Sequence, residues 1–274
     1  MKNEDLLKIS KQVRIAALRA IFNASSGHPG GSLSSADVLV FLYFGGAMRF
    51  RPEDPKWPER DYFILSNGHV CPSYYAVLAL AGFLKMGAFI GSLRSFGSGF
   101  EGHPLRGSLP GIETTTGSLG QGIGVAAGIA KGLKMKNLNN RVFCLTSDGE
   151  HQEGSTWEAI MFAGHHKLNN LSVIIDRNNM QIGGKTEEIN RLEPLEKRYS
   201  AFGWRVILAD GHDFLSLSDA FMEAKKPSPS PVVIIAKTVR GKGVSFMENS
   251  PDYHAKKLTK EELERAIEEL KTGN

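Results

Sequence analysis

The chain has 274 residues, with 33 Lys and Arg against 29 Asp and Glu, and its formal net charge of +4 does not point to nucleic acid. A hydrophobic content of 41% with 23% charged residues excludes a disordered chain, and 274 residues suffice to bury a sizeable core. Cys71 and Cys144 are too few for a disulfide framework or a Cys-rich zinc site, so a reduced, cytoplasmic chain is the expectation.

The N-terminus opens MKNEDLLKISKQVR, which has the charge but not the apolar stretch of a signal peptide, and nowhere does an apolar run reach the ~18 residues of a membrane span. Leu6, Ile9, Val13, Ala16, Ala17, Ala20 and Ile21 recur at helical spacing, which predicts an amphipathic helix over 4–24, stopped by the loop Ser25-Ser26-Gly27-His28-Pro29-Gly30-Gly31. Ser34 followed by Asp37 reads as a capping box before Val38–Phe44. Residues 49–60 are loop, Tyr62–Leu65 a short buried strand, Ser66-Asn67-Gly68-His69 a turn, and Ser73–Leu80 a helix. Residues 86–118 are rich in Gly, Ser and Pro with little periodicity, and a loop of that length in a compact domain is usually functional. A glycine-striped helix follows over 119–134. Val142–Thr146, Ser172–Asp176, Arg205–Ala209 and Val232–Ala236 read as strands, with helices near 154–167 and 213–225, and Thr259-x-x-Glu262 caps a last polar helix to about Leu270. Short apolar strands alternating with helices predict an α/β fold, one parallel sheet flanked by helices, in a single domain over 1–274.

In such sheets ligands bind beyond the carboxyl ends of the strands. Ser147-Asp148-Gly149-Glu150-His151-Gln152-Glu153-Gly154 follows one strand, and Asp176-Arg177-Asn178-Asn179-Met180 ends the next. Adjacent parallel strands put Asp148 and Asn178 side by side. One carboxylate and one amide oxygen form a hard, low-charge site that suits Mg²⁺, with Ca²⁺ or Mn²⁺ as substitutes, when phosphate oxygens and water complete its shell. Taken alone, the pair reads equally well as a helix cap and a turn; its occurrence at consecutive strand ends favours the metal.

Asp-Gly followed some thirty residues later by Asn-Asn resembles the metal and diphosphate motif of thiamine diphosphate enzymes. The strings SSGHPGGSLSSADVL (25–39), RDYFILSNGHVCPSYYAVLALAG (60–82), EGHPLRGSLPGIETTTGSLGQGIG (101–124), EGSTWEAIMFAGHHKLNNLSVIIDRNNMQIGG (153–184), GWRVILADGHD (203–213) and KTVRGKGVSFMENSPDYHA (237–255) resemble transketolase, in order, over nearly the whole chain. The family motif usually starts Gly-Asp-Gly, and here Ser147 stands first.

The resemblance implies a thiamine diphosphate-binding fold and specific roles. Asp148, Asn178 and the backbone carbonyl of Met180 would bind the metal, and Gly149 with the helix after it would face the diphosphate. Gly117, Ser118 and Leu119 would lie against the thiamine. His69 would contact the diphosphate side, and Glu153 would sit in an acidic path between cofactors near a dimer interface. His28 and His254 would handle protons of sugar hydroxyls, His254 also contacting the cofactor, with His103 and His69 near the donor's terminal hydroxymethyl group. The residue chemistry agrees: imidazole is the side chain whose unperturbed pKa suits proton transfer near neutrality, and these four histidines lie in loops, three of them beside glycine. His165 and His166 read as structural, His212 as a turn and cap, and His151 carries no assigned role.

The resemblance covers only the first of transketolase's three domains; the second normally supplies a glutamate that activates the aminopyrimidine, stacking aromatics, and arginines for the sugar phosphate. The expectation is therefore a natural subunit of a split enzyme, two copies with two of a separately encoded pyrimidine-binding C-terminal partner, transferring a two-carbon ketol unit between sugar phosphates in carbohydrate metabolism of the pentose phosphate type. The alternatives are a fragment of a longer chain, a related thiamine enzyme such as 1-deoxyxylulose-phosphate synthase or a 2-oxo acid dehydrogenase component, and a non-catalytic cofactor-binding subunit.

Overall fold

The structure, a computed structural model, describes residues 1–273. In chain order the elements are α1 (Asn3–Asn23), α2 (Pro29–Phe44), β1 (Tyr62–Leu65), α3 (Cys71–Leu80), α4 (Met86–Ser92), α5 (Gln121–Met135), β2 (Val142–Ser147), α6 (Gly154–His165), β3 (Leu171–Arg177), β4 (Met180–Gln181), β5 (Gly184–Lys185), α7 (Thr186–Ile189), α8 (Leu195–Ala201), β6 (Arg205–Asp210), α9 (Phe214–Lys225), β7 (Val232–Lys237) and α10 (Lys260–Thr272). Five strands form one sheet in the order β1-β2-β3-β7-β6, every neighbouring pair parallel. The central strands are apolar runs because both faces of the sheet are covered. Successive residues serve opposite cores: Phe143 and Leu145 join α1, α2, α3, α9 and α10 on one face, while Val142 and Cys144 join α5, α6 and α8 on the other. No helix among the described residues is long and apolar enough to cross a membrane.

The expected α/β architecture and all five strands are present. Ser34 and Asp37, however, are not a capping box. Helix α2 begins at Pro29, with His28 as its N-cap, because proline at the first helical position needs no N–H partner and is already set at a helical φ. Ser34 and Asp37 lie inside the helix and point inward: Arg14 Nη2 donates to Asp37 Oδ2 at 2.6 Å, His212 Nδ1 lies 2.6 Å from the same oxygen, and the Ser10 hydroxyl donates to Oδ1. Burial alone would raise Asp37, yet the Arg14 charge and the hydrogen bonds from His212 and Arg14 hold its carboxyl well below the usual carboxylate range.

Helix α4 lies within the Gly- and Ser-rich stretch 86–118, and the β4–β5 hairpin, α7 and α8 occupy a segment in which no element was expected. His212 is not the cap of α9. Asp213 is, accepting from the backbone N–H groups of Leu215 and Ser216, while His212 turns inward and its Nε2 accepts from Val239 N–H at 2.8 Å. The capping box at Thr259 and Glu262 is present as read.

Candidate active site

A cavity of about 330 Å³ opens beyond the carboxyl ends of β1, β2 and β3. Its floor follows from strand register. Leu65 pairs with Leu145, Asn67 follows in the turn beyond β1 with its N–H on the Leu145 carbonyl at 3.4 Å, and Ser147 pairs with Asp176. Asn67, Ser147 and Asp176 line the cavity, as do Gly149, Asn178 and Met180 from the turns beyond. Asp148 and Asn178 thus stand on neighbouring strand ends, as the sequence predicts. Asp148 is fully buried: its Oδ1 accepts from Gly149 N–H at 2.9 Å, and its Oδ2 from Asn179 N–H at 2.6 Å and Arg177 Nη1 at 3.1 Å. Burial pushes its carboxyl up to about 7 against the pull of Arg177. Asn178 Oδ1 accepts from Met180 N–H at 3.0 Å. Between Gly149 and α6 lies a 3₁₀ turn, Gly149–Gln152, so the helix starts farther from Gly149 than expected.

The opposite wall is built of histidines. His28 is held at the head of α2, His69 in a 3₁₀ turn after β1, His103 in the long loop, and His254 in a 3₁₀ turn after β7. The His28 ring centroid lies 5.2 Å from that of His69, 5.3 Å from His254 and 6.1 Å from His103, and His69 lies 5.5 Å from His254. Burial, then the charge of His254 and nearby arginines, brings His28 down to about 3; burial and Arg240 bring His254 to about 4. His69 and His103 are lowered too, first by burial. All four rings are thus shifted toward the neutral form. Arg240, buried at the cavity wall, fixes one tautomer. Its Nη2 donates to His254 Nδ1, and a guanidinium has only donors, so the His254 proton sits on Nε2.

Gly117 and Leu119 line the cavity, whereas Ser118 between them is exposed. Gly117 packs on the His103 ring, where an added Cβ would come within 3.2 Å. Glu153 is exposed at the cavity rim and makes no side-chain cap to α6. His151 turns away from the cavity: its Nδ1 lies 2.8 Å from the Ser147 carbonyl and its Nε2 2.7 Å from the Tyr199 hydroxyl. His165 and His166 lie at the C-terminal end of α6, outside the cavity wall. Sequence reasoning gave no role to Arg177, Arg240, Glu150 or Gln181. Glu150 is buried and ties three segments together, accepting from the Ser66 hydroxyl, from Gly120 N–H at 2.7 Å and from Ser147 N–H at 3.4 Å. The signal for Arg240 is its place in the Arg240-Gly241-Lys242-Gly243 run; nothing in the sequence marks Glu150 as inward-facing.

Among the described residues several polar atoms around the cavity find no partner: His28 Nδ1, both amide atoms of Asn67, Thr116 Oγ1 and Gln181 Oε1. Buried groups left so are rare, and their clustering here leaves room for a ligand or ordered water to complete them. Among the described residues no group of three or more His, Cys, Asp or Glu is placed to hold a bare metal ion. One carboxylate, one amide oxygen and one backbone carbonyl suit instead a hard ion that arrives with its own phosphate oxygens.

Comparisons with known proteins agree with this geometry. The profile of the family described as "Transketolase, thiamine diphosphate binding domain" matches residues 7–272. The chain is 42% identical to the 6-deoxy-6-sulfo-D-fructose transketolase subunit of Clostridium sp. (strain MSTE9), over 97% of this chain and 96% of that one. It is 39% identical to one subunit of the apulose-4-phosphate transketolase of Actinobacillus succinogenes, over 98% and 96%. Against human transketolase it is 39% identical over 98% of its own length and spans only 42% of that protein. The crystal structure of transketolase from Campylobacter jejuni superposes with a TM-score of 0.93 at 34% identity, covering 99% of this chain and 43% of that one. The chain belongs to the transketolase family and carries its thiamine diphosphate-binding domain.

Proposed function

We propose that residues 1–274 act as one diphosphate-binding domain, the N-terminal subunit of a two-chain transketolase that moves a two-carbon ketol unit from a ketose phosphate to an aldose phosphate. The observation that carries this reading is the meeting of the strand-end floor (Asn67, Gly149, Asn178) with four histidines across one cavity. Two relatives of matching length bear names that describe transketolase subunits. The partner we propose is a separately encoded C-terminal subunit carrying the pyrimidine-binding domain, in a two-plus-two assembly.

The surface supports such assembly. Helices α5 and α6 expose Val125, Met135, Met161 and Phe162, and an added Cβ at Gly124 or Gly128 would meet nothing within 4 Å. A neighbouring chain can approach these glycines closely. Two free, buried cysteines fit a reduced, cytoplasmic setting.

Thiamine diphosphate, when bound, supplies a carbanion able to cleave and form the carbon–carbon bond. Asp148, Asn178 and the Met180 carbonyl would hold Mg²⁺, or Ca²⁺ or Mn²⁺ in its place. Gly149 and His69 would face the diphosphate, and Gly117, Ser118 and Leu119 the thiamine. Asp148 already has its conformation set by Arg177, Gly149 and Asn179, so little ordering remains to be done on metal binding. His254 presents Nε2–H as a donor to a sugar oxygen, while neutral His28 is free to take a hydroxyl proton. His103 and His69 flank the donor's terminal hydroxymethyl group. Glu153 at the rim belongs to the acidic path toward a second site.

The test is co-expression with the adjacent open reading frame and a ketol-transfer assay. Activity should need both chains and thiamine diphosphate with Mg²⁺, and Asp148→Asn should abolish metal-dependent cofactor binding in calorimetry. Unchanged cofactor affinity in that variant contradicts the metal assignment, and full activity from this chain alone contradicts the split-subunit reading.

A further inference from the structure

Asn67 stands apart among the cavity residues. It is fully buried, it lines the cavity, and among the described residues neither its Nδ2 nor its Oδ1 has a hydrogen-bond partner. It heads the 3₁₀ turn Gly68–Val70 without capping it. A buried amide with both ends unpaired is costly, and in the lining of a cavity it calls for a bound ligand or ordered water to complete it. From this we infer that Asn67 is a ligand-binding residue whose amide N–H donates to an oxygen of the bound diphosphate; the inference rests on the cofactor reading above.

Position decides between the two ends of the cavity. Asn67 stands in the turn that leaves β1, its N–H on the Leu145 carbonyl of β2 at 3.4 Å, and the turns beyond the neighbouring strands β2 and β3 carry Gly149 and Asn178. It therefore belongs to the floor that faces the diphosphate and its ion rather than to the wall of His28, His103 and His254. A diphosphate offers acceptors only, so Nδ2 is the atom that reaches it. Oδ1 is left for a donor, such as a water in the shell of the ion, which Mg²⁺ retains when bound. A hydrogen bond to a charged group is stronger than a neutral one, so its loss should weaken binding about tenfold or more.

The experiment uses the wild type, Asn67→Leu, which replaces the amide by an apolar group of similar size, and Asn67→Asp, which replaces the donor by an anion. Each is melted without ligand. Binding of thiamine diphosphate, and separately of inorganic diphosphate, is then measured by calorimetry with Mg²⁺ and the partner subunit present. Asn67→Leu should melt at or above the wild-type temperature, because no bond is lost, and should bind both ligands at least tenfold more weakly; Asn67→Asp should bind more weakly still. An Asn67→Leu melting temperature several degrees below wild type, or affinities within twofold of wild type in both variants, overturns the inference and leaves the cofactor reading standing. Wild-type protein that binds no thiamine diphosphate at all overturns both.

Discussion

Gly124→Ala and Gly128→Ala, made together, should act in opposite directions on the isolated chain and on its assembly. Both positions lie inside α5, face outward, and leave a new methyl group with nothing within 4 Å. The substitution therefore brings no clash within the chain and gains the difference in helix propensity, about 0.8–1 kcal/mol per site. For a domain of this size each kcal/mol moves the melting temperature by roughly 2–4 °C, so the double variant should melt about 4 °C or more above wild type. If a second chain packs its backbone against these glycines, the same methyl groups intrude there, and overpacking typically costs about 1–3 kcal/mol, about one to two decades in affinity. Circular dichroism of the isolated chain reads the first effect; sedimentation of this chain with its partner reads the second. A variant no more stable than wild type refutes the open-face geometry. A stabilised variant that assembles as tightly as wild type refutes the placing of the interface on α5.

His254→Ala should lower turnover by about 10²–10⁴, the usual size of an acid–base contribution, while cofactor affinity falls less; steady-state kinetics beside calorimetry decides, and near wild-type turnover would make His254 structural. Asp37→Ala leaves buried Arg14 without its carboxylate and should cost about 3–5 kcal/mol in urea unfolding, with a loss under 1 kcal/mol contradicting the buried-pair account. Because the Asp37 pKa is depressed, its contribution is present above the ordinary carboxylate range and is lost as pH falls through the folded-state value, so wild type and Asp37→Ala should converge in stability in acid. His151 is held neutral down to about 4 by burial, whereas an unfolded histidine protonates below about 6.5. Its contribution is full above that value and falls as pH drops toward 4, by up to about 1.4 kcal/mol per pH unit, and the slope should flatten in His151→Gln when unfolding is followed against pH.

The parts of this fold that the sequence discloses are those in which one physical rule dominates. The strands Val142–Ser147 and Val232–Lys237 are apolar because helices cover both faces, and their run length betrays them. The box at Thr259 and Glu262 is a local hydrogen-bond exchange and needs no tertiary partner. Ser34 and Asp37 have the same spacing but opposite fates, because Asp37 finds Arg14 and His212, partners invisible to a local pattern. Helix α7 spans four residues and α8 seven, too short for periodicity to register. In the site, glycine neighbours and loop settings single out the four histidines. That Asn67 lacks partners, and that Arg240 sets the His254 tautomer, are properties of the surroundings and have no signature in the chain.

The chain draws its cavity from nearly its whole length. Ser34 meets Asp176 across 142 positions, His212 meets Asp37 across 175, and Gly241 N–H closes on the Gly30 carbonyl at 3.0 Å. Contacts of such long range carry a loop-closure cost before they reward it. During synthesis the head of α2, with His28, must wait until Arg240 and His254 have left the ribosome before the wall can close around it. A chain stalled after β3 would lack Asn178 and Met180 of the floor and Arg240 and His254 of the wall, and would leave the β3 edge that pairs with β7 open. The same layout sets where this machinery tolerates division. A break anywhere between His28 and His254 divides the residues that line this one cavity, whereas α10 lies beyond all of them.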